Sequence, residues 1–333
     1  MKLAGFLLFL IGLCAMLGLV GYYGFSDVIG ALAVAAEGII VVALFHCVPL
    51  VTDTVAWRRL LPPQHRGRLR DLLWMRWVSE SVKNLLPVAQ VGGDLVRARL
   101  AAQRGVPAAD ATASIVADIT TSVLTLVAFG ALGAWLLSAA NERESGVLLV
   151  ALAVSALLVC IFYALQRARL FSRLAGLAAR TVGLGTWEPV LGSASALDQA
   201  LDAVYARRGD VLVSCAWASL AWILGAGEVW LALQFMHVPV GIADALIFES
   251  LVQAVRGAAF PIPGALGVQE GALVALGLTL GISGDTALAL SLIKRARELL
   301  FGLPGLLVWQ IAEGRHFFRR RARARADGVQ RPW

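Results

Sequence analysis

Ionisable side chains stand in this chain where apolar sequence surrounds them. Lys294, Arg295, Arg297 and Glu298 interrupt a run bounded by Leu288 to Ile293 and Leu299 to Leu303. Glu80, Lys83, Asn84, Asp94, Arg97 and Arg99 form a second group, Glu249, Gln253, Arg256, Gln269 and Glu270 a third, and Asp118 lies within another apolar stretch. A charge at the centre of a bilayer costs at least about 2.5 kcal/mol, so such residues face a cavity and a partner. Three uses follow: pairing that locks helices together, binding of a polar head group, and proton carriage.

The residue types favour binding. Arg presents a rigid fork that suits phosphate, and half-helix N-termini after Pro87 and Pro263 would add backbone donors. Lys294, Arg295 and Arg297 against Glu298 alone predict surplus positive charge, which requires an anion such as a phospholipid or polyprenyl-phosphate head group. Asp94, Asp118, Glu270 and Glu298 either pair with those cations in the empty state or carry protons. Helical spacing puts Glu80 with Lys83 or Asn84, Asp94 with Arg97, and Arg295 with Glu298 on shared faces. Glu37, Glu228 and His46 stand singly and read as helix-packing contacts. The chain has no HExxH, GxSxG, Walker or dinucleotide motif, so no catalytic constellation, cofactor or metal is expected.

These residues need a membrane-embedded scaffold to hold them. The 333 residues are 59% hydrophobic and only 15% charged, with a mean hydropathy of +0.76; a soluble domain has roughly 25% charged residues. Segments of about 20 apolar residues predict six spans: Leu3 to Tyr23, Ile29 to Val51, Pro107 to Ala139, Gly146 to Gln166, Asp210 to Met236 and Thr286 to Ile311. The first resembles a signal sequence without a clear cleavage site and is expected to remain as a helix. Cys14, Cys47, Cys160 and Cys215 sit singly in apolar runs and read as buried small hydrophobes.

Lys and Arg in short loops orient the spans. Arg58, Arg59, Arg66, Arg68 and Arg70, then Arg167, Arg169, Arg173 and Arg180, then Arg207 and Arg208 mark the cytoplasmic side. The net charge of +7 owes much to a tail carrying Arg315, Arg319, Arg320, Arg321, Arg323, Arg325 and Arg331. Each such Arg is worth about 1 kcal/mol against an anionic leaflet, so the tail reads as cytoplasmic and lipid-facing rather than nucleic-acid binding. Both termini are expected in the cytoplasm.

Two regions, Asp71 to Arg104 and Asp244 to Gly281, put Pro, clustered Gly and an acid inside lipid-soluble sequence. Interrupted helix is tolerated at membrane depth only when buried in protein or lining a wet cavity. Flanking charges predict that the first is a re-entrant hairpin entering from the cytoplasm and the second one entering from outside. An offset of 176 residues pairs Pro87 with Pro263, Ala89 with Ala265, Asp94 with Glu270, Leu100 with Leu276, Gly105 with Gly281, and Ala111 and Ala113 with Ala287 and Ala289. The expected architecture is therefore an all-α integral membrane protein of about six helices with two opposed re-entrant hairpins in an inverted repeat, a known transporter design. Residues 1–313 form one polytopic domain with halves at roughly 29–166 and 209–313, a cytoplasmic amphipathic linker at 167–208, and a basic tail at 314–333. In the linker, Leu191, Leu197, Leu201, Val204 and Tyr205 suit either an interfacial helix or one packed on the bundle.

The expected substrate-binding residues are Glu80, Asn84, Pro87, Gly92, Gly93, Asp94, Arg97 and Asp118 from the first half, and Arg256, Pro263, Gly264, Gly267, Gln269, Glu270, Lys294, Arg295 and Glu298 from the second. Asn84-Leu85-Leu86-Pro87, Gly92-Gly93-Asp94, Arg97, Asp118, the string Pro261 to Gly271 and Arg295 resemble the lysylphosphatidylglycerol synthase transmembrane (flippase-like) family over nearly the whole chain. Gln253 to Phe260, Lys294 to Glu298 and Pro304-Gly305-Leu306 look most like its hopanoid-biosynthesis-associated branch. The resemblance implies a multi-pass protein of the bacterial inner (plasma) membrane that moves a lipid: a hopanoid, or a phospholipid or polyprenyl phosphate. The soluble transferase half of the two-part synthases is not seen after the last span, so a transporter is expected rather than an enzyme. The alternatives are a membrane-embedded enzyme that modifies lipid head groups and an accessory scaffold of lipid-biosynthesis enzymes, which are possible partners.

Overall fold

Helix dominates the computed structural model, as a chain with no water to satisfy its backbone requires. The structure describes residues 36–86, 92–140, 194–259 and 262–326 together with Cys14, and among them there is no strand. The expected spans Leu3 to Tyr23 and Gly146 to Gln166, with Pro87, Cys160 and Leu191, lie outside the described residues.

Helices α1 (Ala36–Phe45) and α2 (Cys47–Leu60) form one interrupted apolar rod. Pro49 has no N–H to offer the carbonyl of Phe45, which accounts for the break at His46. The apolar stretch able to cross a membrane runs Gly38–Leu60, well beyond the expected end at Val51. Polar residues do not stop it: Thr52 and Thr54 donate to the carbonyls of Pro49 and Leu50 at 2.8 and 2.7 Å, and Asp53 is paired with Arg76 at 3.1 Å. At its C-terminus Arg207 donates to the open carbonyls of Leu60 and Leu61 at 2.8 and 2.9 Å, satisfying groups a helix end leaves unpaired.

Three helices follow, α3 (Leu69–Leu85), α4 (Gly92–Gln103) and α5 (Ala108–Ala140). Helices α3 and α4 pack antiparallel: Gly93 lies against Ser79 and Lys83, while Arg104 lies over Trp74. A side chain at Gly93 would collide with the Ser79 carbonyl oxygen, so glycine is what lets the two backbones touch. Helix α5 matches the expected span from Pro107 to Ala139.

After α6 (Ala194–Ala206) comes α7 (Arg208–Phe235), again at the expected place. The chain then repeats its earlier pattern with α8 (Ile242–Ala258), a 3-10 turn at Pro263–Ala265, α9 (Val268–Thr279) and the long α10 (Gly284–Ala326). Helices α4 and α9 begin and end 176 residues apart, α5 and α10 begin 176 apart, and the turn glycines Gly105 and Gly281 both have positive φ, 89° and 76°. The first arms α3 and α8 start 173 residues apart. Packing repeats as well: α3 lies on α10 as α8 lies on α5, and α2 and α7 lie on each other.

Each hairpin has its own apolar core. Trp57, Leu72, Val78, Val82, Leu100 and Ile115 join α2 to α5; Val42, Leu233, Phe248, Leu273, Leu290 and Ile293 join α1 with α7 to α10. Helix α6 buries Leu197, Ala200 and Val204 against Ala113 and Ala117 of α5, so this part of the linker is packed on the bundle. Outward-facing Leu124, Trp135, Leu212, Leu220 and Ile223 form an apolar belt, the surface a bilayer covers. Cys14 and Cys47 are exposed and Cys215 is half-buried, so these thiols are not core residues: the outside of a membrane protein is as apolar as its inside. Among the described residues three helical stretches, Gly38–Leu60, Ala108–Ala139 and Arg208–Phe235, are long and apolar enough to cross a membrane. The interior charges of α10 exclude it by composition, although Leu299, Leu303, Leu307 and Ile311 give it an exposed apolar stripe. Its helical backbone continues to Ala326, into the expected tail.

Candidate functional site

Two buried polar networks lie among these helices. The smaller belongs to the first hairpin and is centred on Asp118, whose Oδ2 accepts from Arg76 at 2.5 Å and Arg97 at 2.7 Å. Arg97 also donates to Asp94 at 2.8 Å and lies 4.8 Å from the Trp57 ring centroid. Arg76 reaches Asp53 as well. The indole of Trp57 donates to Ser114 Oγ at 3.1 Å, so Arg97 meets a fixed ring face. Arg97 is only 1% exposed and Asp118 3%. This is a closed ion-pair set in which both guanidinium groups have carboxylate partners, with only Arg97 Nε left without a hydrogen bond among the nitrogens of that side chain.

The larger network joins both hairpins. Arg295 Nε donates to Glu270 at 3.0 Å and its Nη1 to Glu298 at 3.0 Å; Arg256 pairs with Glu298 at 2.9 Å and donates to Gln269 at 3.0 Å. The second Arg256 nitrogen reaches Asn84 of α3 at 3.5 Å. Lys294 pairs with Glu249, whose other oxygen accepts from Gln253 at 2.7 Å. Arg297 pairs with Glu228 of α7 at 3.1 Å and stands against His46. The imidazole contacts Glu228 through Nδ1 at 2.7 Å and Glu80 of α3 through Nε2 at 2.8 Å, with its ring edge-on to Phe301 at 5.0 Å.

Helix spacing produces this convergence. Glu80 and Asn84 lie one turn apart on α3, and Lys294, Arg295, Arg297 and Glu298 fill one turn of α10. Opposite Asn84, Gly264 (φ 62°) and Gly267 (φ 77°) bend the chain into the start of α9. A Cβ on Gly264 would sit 3.5 Å from Arg295 Nη1 and 3.9 Å from the Asn84 carbonyl. This places Gln269 and Glu270, both 0% exposed, in the first turn of α9. Between His46, Glu80, Asn84, Arg297 and Glu298 the remaining cavity is about 10 Å³, room for one water molecule.

Several expected residues therefore meet. Glu80, Asn84, Arg256, Gln269, Glu270, Arg295 and Glu298 share the larger network, with Lys294 at its edge; Asp94, Arg97 and Asp118 share the smaller one. Gly92 begins α4, Gly93 serves helix packing, and Pro263 opens the turn that carries Gly264 and Gly267. The pairs Asp94–Arg97 and Arg295–Glu298 form as the spacing predicts. Glu80 bonds His46 across helices instead of Lys83 or Asn84 on its own.

The expected surplus of positive charge is not found. Lys294 has Glu249, Arg295 has Glu270 and Glu298, and Arg297 has Glu228; the three acids brought from α7, α8 and α9 were distant in sequence. Glu228 and His46, expected to be packing contacts, are central members. Arg76 and Asp53 were missed altogether, because Arg76 stands close to a basic loop and Asp53 beyond an apolar run. The signal available was the ladder Arg76, Glu80, Asn84 at four-residue spacing, which places all three on one helix face.

The two halves carry equivalent pairs of opposite sign. Arg76, the eighth residue of α3, meets Asp118, the eleventh of α5; Glu249, the eighth of α8, meets Lys294, the eleventh of α10. Five buried polar atoms of the larger network lack a hydrogen-bond partner: Gln269 Nε2, Glu270 Oε2, Arg295 Nη2, Arg297 Nε and Glu298 Oε1. The first three, two donors and one acceptor beside the glycine turn, are what a polar head group or water would satisfy. Among the described residues no group of His, Cys, Asp and Glu is placed to hold a metal ion.

A model of the lysylphosphatidylglycerol synthase TM region matches residues 3–305. The chain belongs to this family. The match takes in both hairpins and the charged turn of α10, so the polar networks lie inside the family's membrane region. No curated protein matches the chain.

Proposed function

We propose that this family member is a lipid transporter of the bacterial inner membrane, in which two inverted halves with opposed re-entrant hairpins rock about the larger polar network. The observation that carries the reading is that network itself: ionisable groups from the break between α1 and α2 and from α3, α7, α8, α9 and α10 meet at the seam between the two hairpins, with five polar atoms left without a hydrogen-bond partner. Charges at such a depth are retained for a substrate or ion path. Matched element boundaries and the exchange of partners between α3 with α10 and α8 with α5 support the inverted repeat. The small cavity corresponds to a closed state.

The charge balance bears on the lipid. Lys294, Arg295 and Arg297 each already have a carboxylate, so a phosphate would have to displace one. A hopanoid or another lipid with hydroxylated, uncharged head groups fits the unpartnered donors and acceptor without that displacement. In the test, purified protein is reconstituted in vesicles with candidate lipids. Arg295→Ala and Glu270→Ala are expected to abolish translocation while the helical circular-dichroism signal persists; undiminished translocation by both variants refutes the site. Mass spectrometry of the same vesicles separates transport from chemistry, because a transporter creates no new lipid species and a head-group enzyme does.

A further inference from the structure

The contacts of His46 suit two protonation states. Both ring nitrogens lie within hydrogen-bonding distance of a carboxylate oxygen, 2.7 Å to Glu228 and 2.8 Å to Glu80. A neutral imidazole donates through Nε2 to Glu80 and accepts at Nδ1 from Arg297, which stands against that nitrogen; a second ring proton lets it donate to both carboxylates. The site therefore holds the ring with or without one further proton, and the charge around it decides between the two. His46 is 9% exposed and its neighbour Glu80 lines the water-sized cavity, which gives that proton a way in and out.

The site is also placed to matter. His46 sits at the break between α1 and α2, Glu80 on the first hairpin and Glu228 on α7. Every element packed there contributes a charge: Arg76 stands one turn before Glu80 on α3, Asp53 lies on α2, Asp118 of α5 is behind Arg76, and Lys294, Arg297 and Glu298 come from α10. The larger network holds the acids Glu80, Glu228, Glu249, Glu270 and Glu298 against the permanent cations Arg256, Lys294, Arg295 and Arg297. One added proton makes it neutral.

We propose that His46, with Glu80 and Glu228, is a proton-binding site that couples proton movement to opening of the seam between the halves. The site rests on the transport reading only for what the opening accomplishes. With the proton bound, the imidazolium bridges Glu80 to Glu228 and the seam is closed. Separating the helices removes a carboxylate, and the proton leaves through the cavity as hydronium. The open state holds one proton fewer, so rising pH favours it, by up to about tenfold in the open-to-closed ratio per pH unit.

The test uses full-length protein in lipid nanodiscs, with histidine ¹⁵N-labelled. Asn84→Cys reports seam opening through its rate of thiol modification, in a background with the native cysteines replaced, and His46→Asn assigns the resonance among the four histidines. The expected result is one His46 deprotonation step that tracks faster modification of Asn84→Cys, and its loss in Glu228→Gln, which keeps the side-chain shape. In vesicles, an imposed pH gradient should drive a fluorescent lipid probe in parent protein but not in His46→Gln. If the step and the opening occur and no lipid crosses, the proton site stands and the transport reading falls. If lipid crosses at a rate indifferent to the gradient, with His46→Gln as fast as the parent, transport stands and the proton site falls. An unchanged His46 protonation state, with constant Asn84→Cys reactivity from pH 5 to about 9, also overturns it.

Discussion

Replacing Lys294 with Met removes the cation that Glu249 faces and leaves that carboxylate in the helix interior. The side chains of the pair are 4% and 5% exposed, so water cannot take over. Glu249 would keep one neutral donor, Gln253 Nε2 at 2.7 Å. Stranding one partner of a buried pair costs about 3–5 kcal/mol, whereas removing both charges is often neutral or better. The single variants Lys294→Met and Glu249→Gln should each lose about 3–4 kcal/mol, a drop of roughly 150- to 700-fold in the folding equilibrium at about 1.4 kcal/mol per decade. The double variant should regain most of this, with a coupling of at least about 2 kcal/mol. Reversible unfolding in mixed micelles measures all four corners of the cycle. Singles that cost under about 1 kcal/mol, or a double variant as poor as the sum of its parts, would refute the claim that this pair is dry and mutually dependent.

Other consequences are checked more briefly. Gly93→Val forces a side chain into the Ser79 carbonyl and should cost about 1–3 kcal/mol as overpacking does, separating α4 from α3; thermal unfolding and a disulfide trap between the two arms report it. Arg97→Met leaves Asp118 with Arg76 alone and should destabilise by a similar amount, with partial rescue in Arg97→Met/Asp94→Asn. Gln103 and Thr279 end the equivalent arms α4 and α9, and both are exposed. Cysteines placed there should react with an impermeant reagent from opposite membrane faces, and labelling from one face only sinks the opposed hairpins.

The scaffold was legible where one physical rule governs it. Spans at Pro107 to Ala139 and Asp210 to Met236 rest on apolar length alone, and the helices found there differ by one or two residues at each end. The start of α4 at Gly92 and the turn at Pro263–Ala265 fall where Gly and Pro, which act locally, interrupt the sequence, and the 176-residue offset recurs in the boundaries of α4 with α9. The reach of α2 to Leu60 was not legible, because Asp53 is tolerated only through Arg76, a partner 23 residues away that sequence does not declare. The charges of the second hairpin and α10 were recognised as out of place, yet their balance was misjudged for the same reason: Glu228 and Glu249 arrive from other helices. His46 was passed over as a single polar residue at a helix break, and only the folded chain brings two carboxylates to its two nitrogens.

The central claim is that lipid moves when the two halves shift against each other. Gly130 of α5 and Ala254 of α8 face each other across this seam, and a Cβ built on Gly130 lies 3.5 Å from that of Ala254, within the span of a disulfide. Cysteines at both positions, in a background without the native ones, tie the halves together on oxidation. Lipid translocation in vesicles is expected to stop in the oxidised protein and return on reduction; oxidised protein that moves lipid as fast as the reduced form contradicts the account.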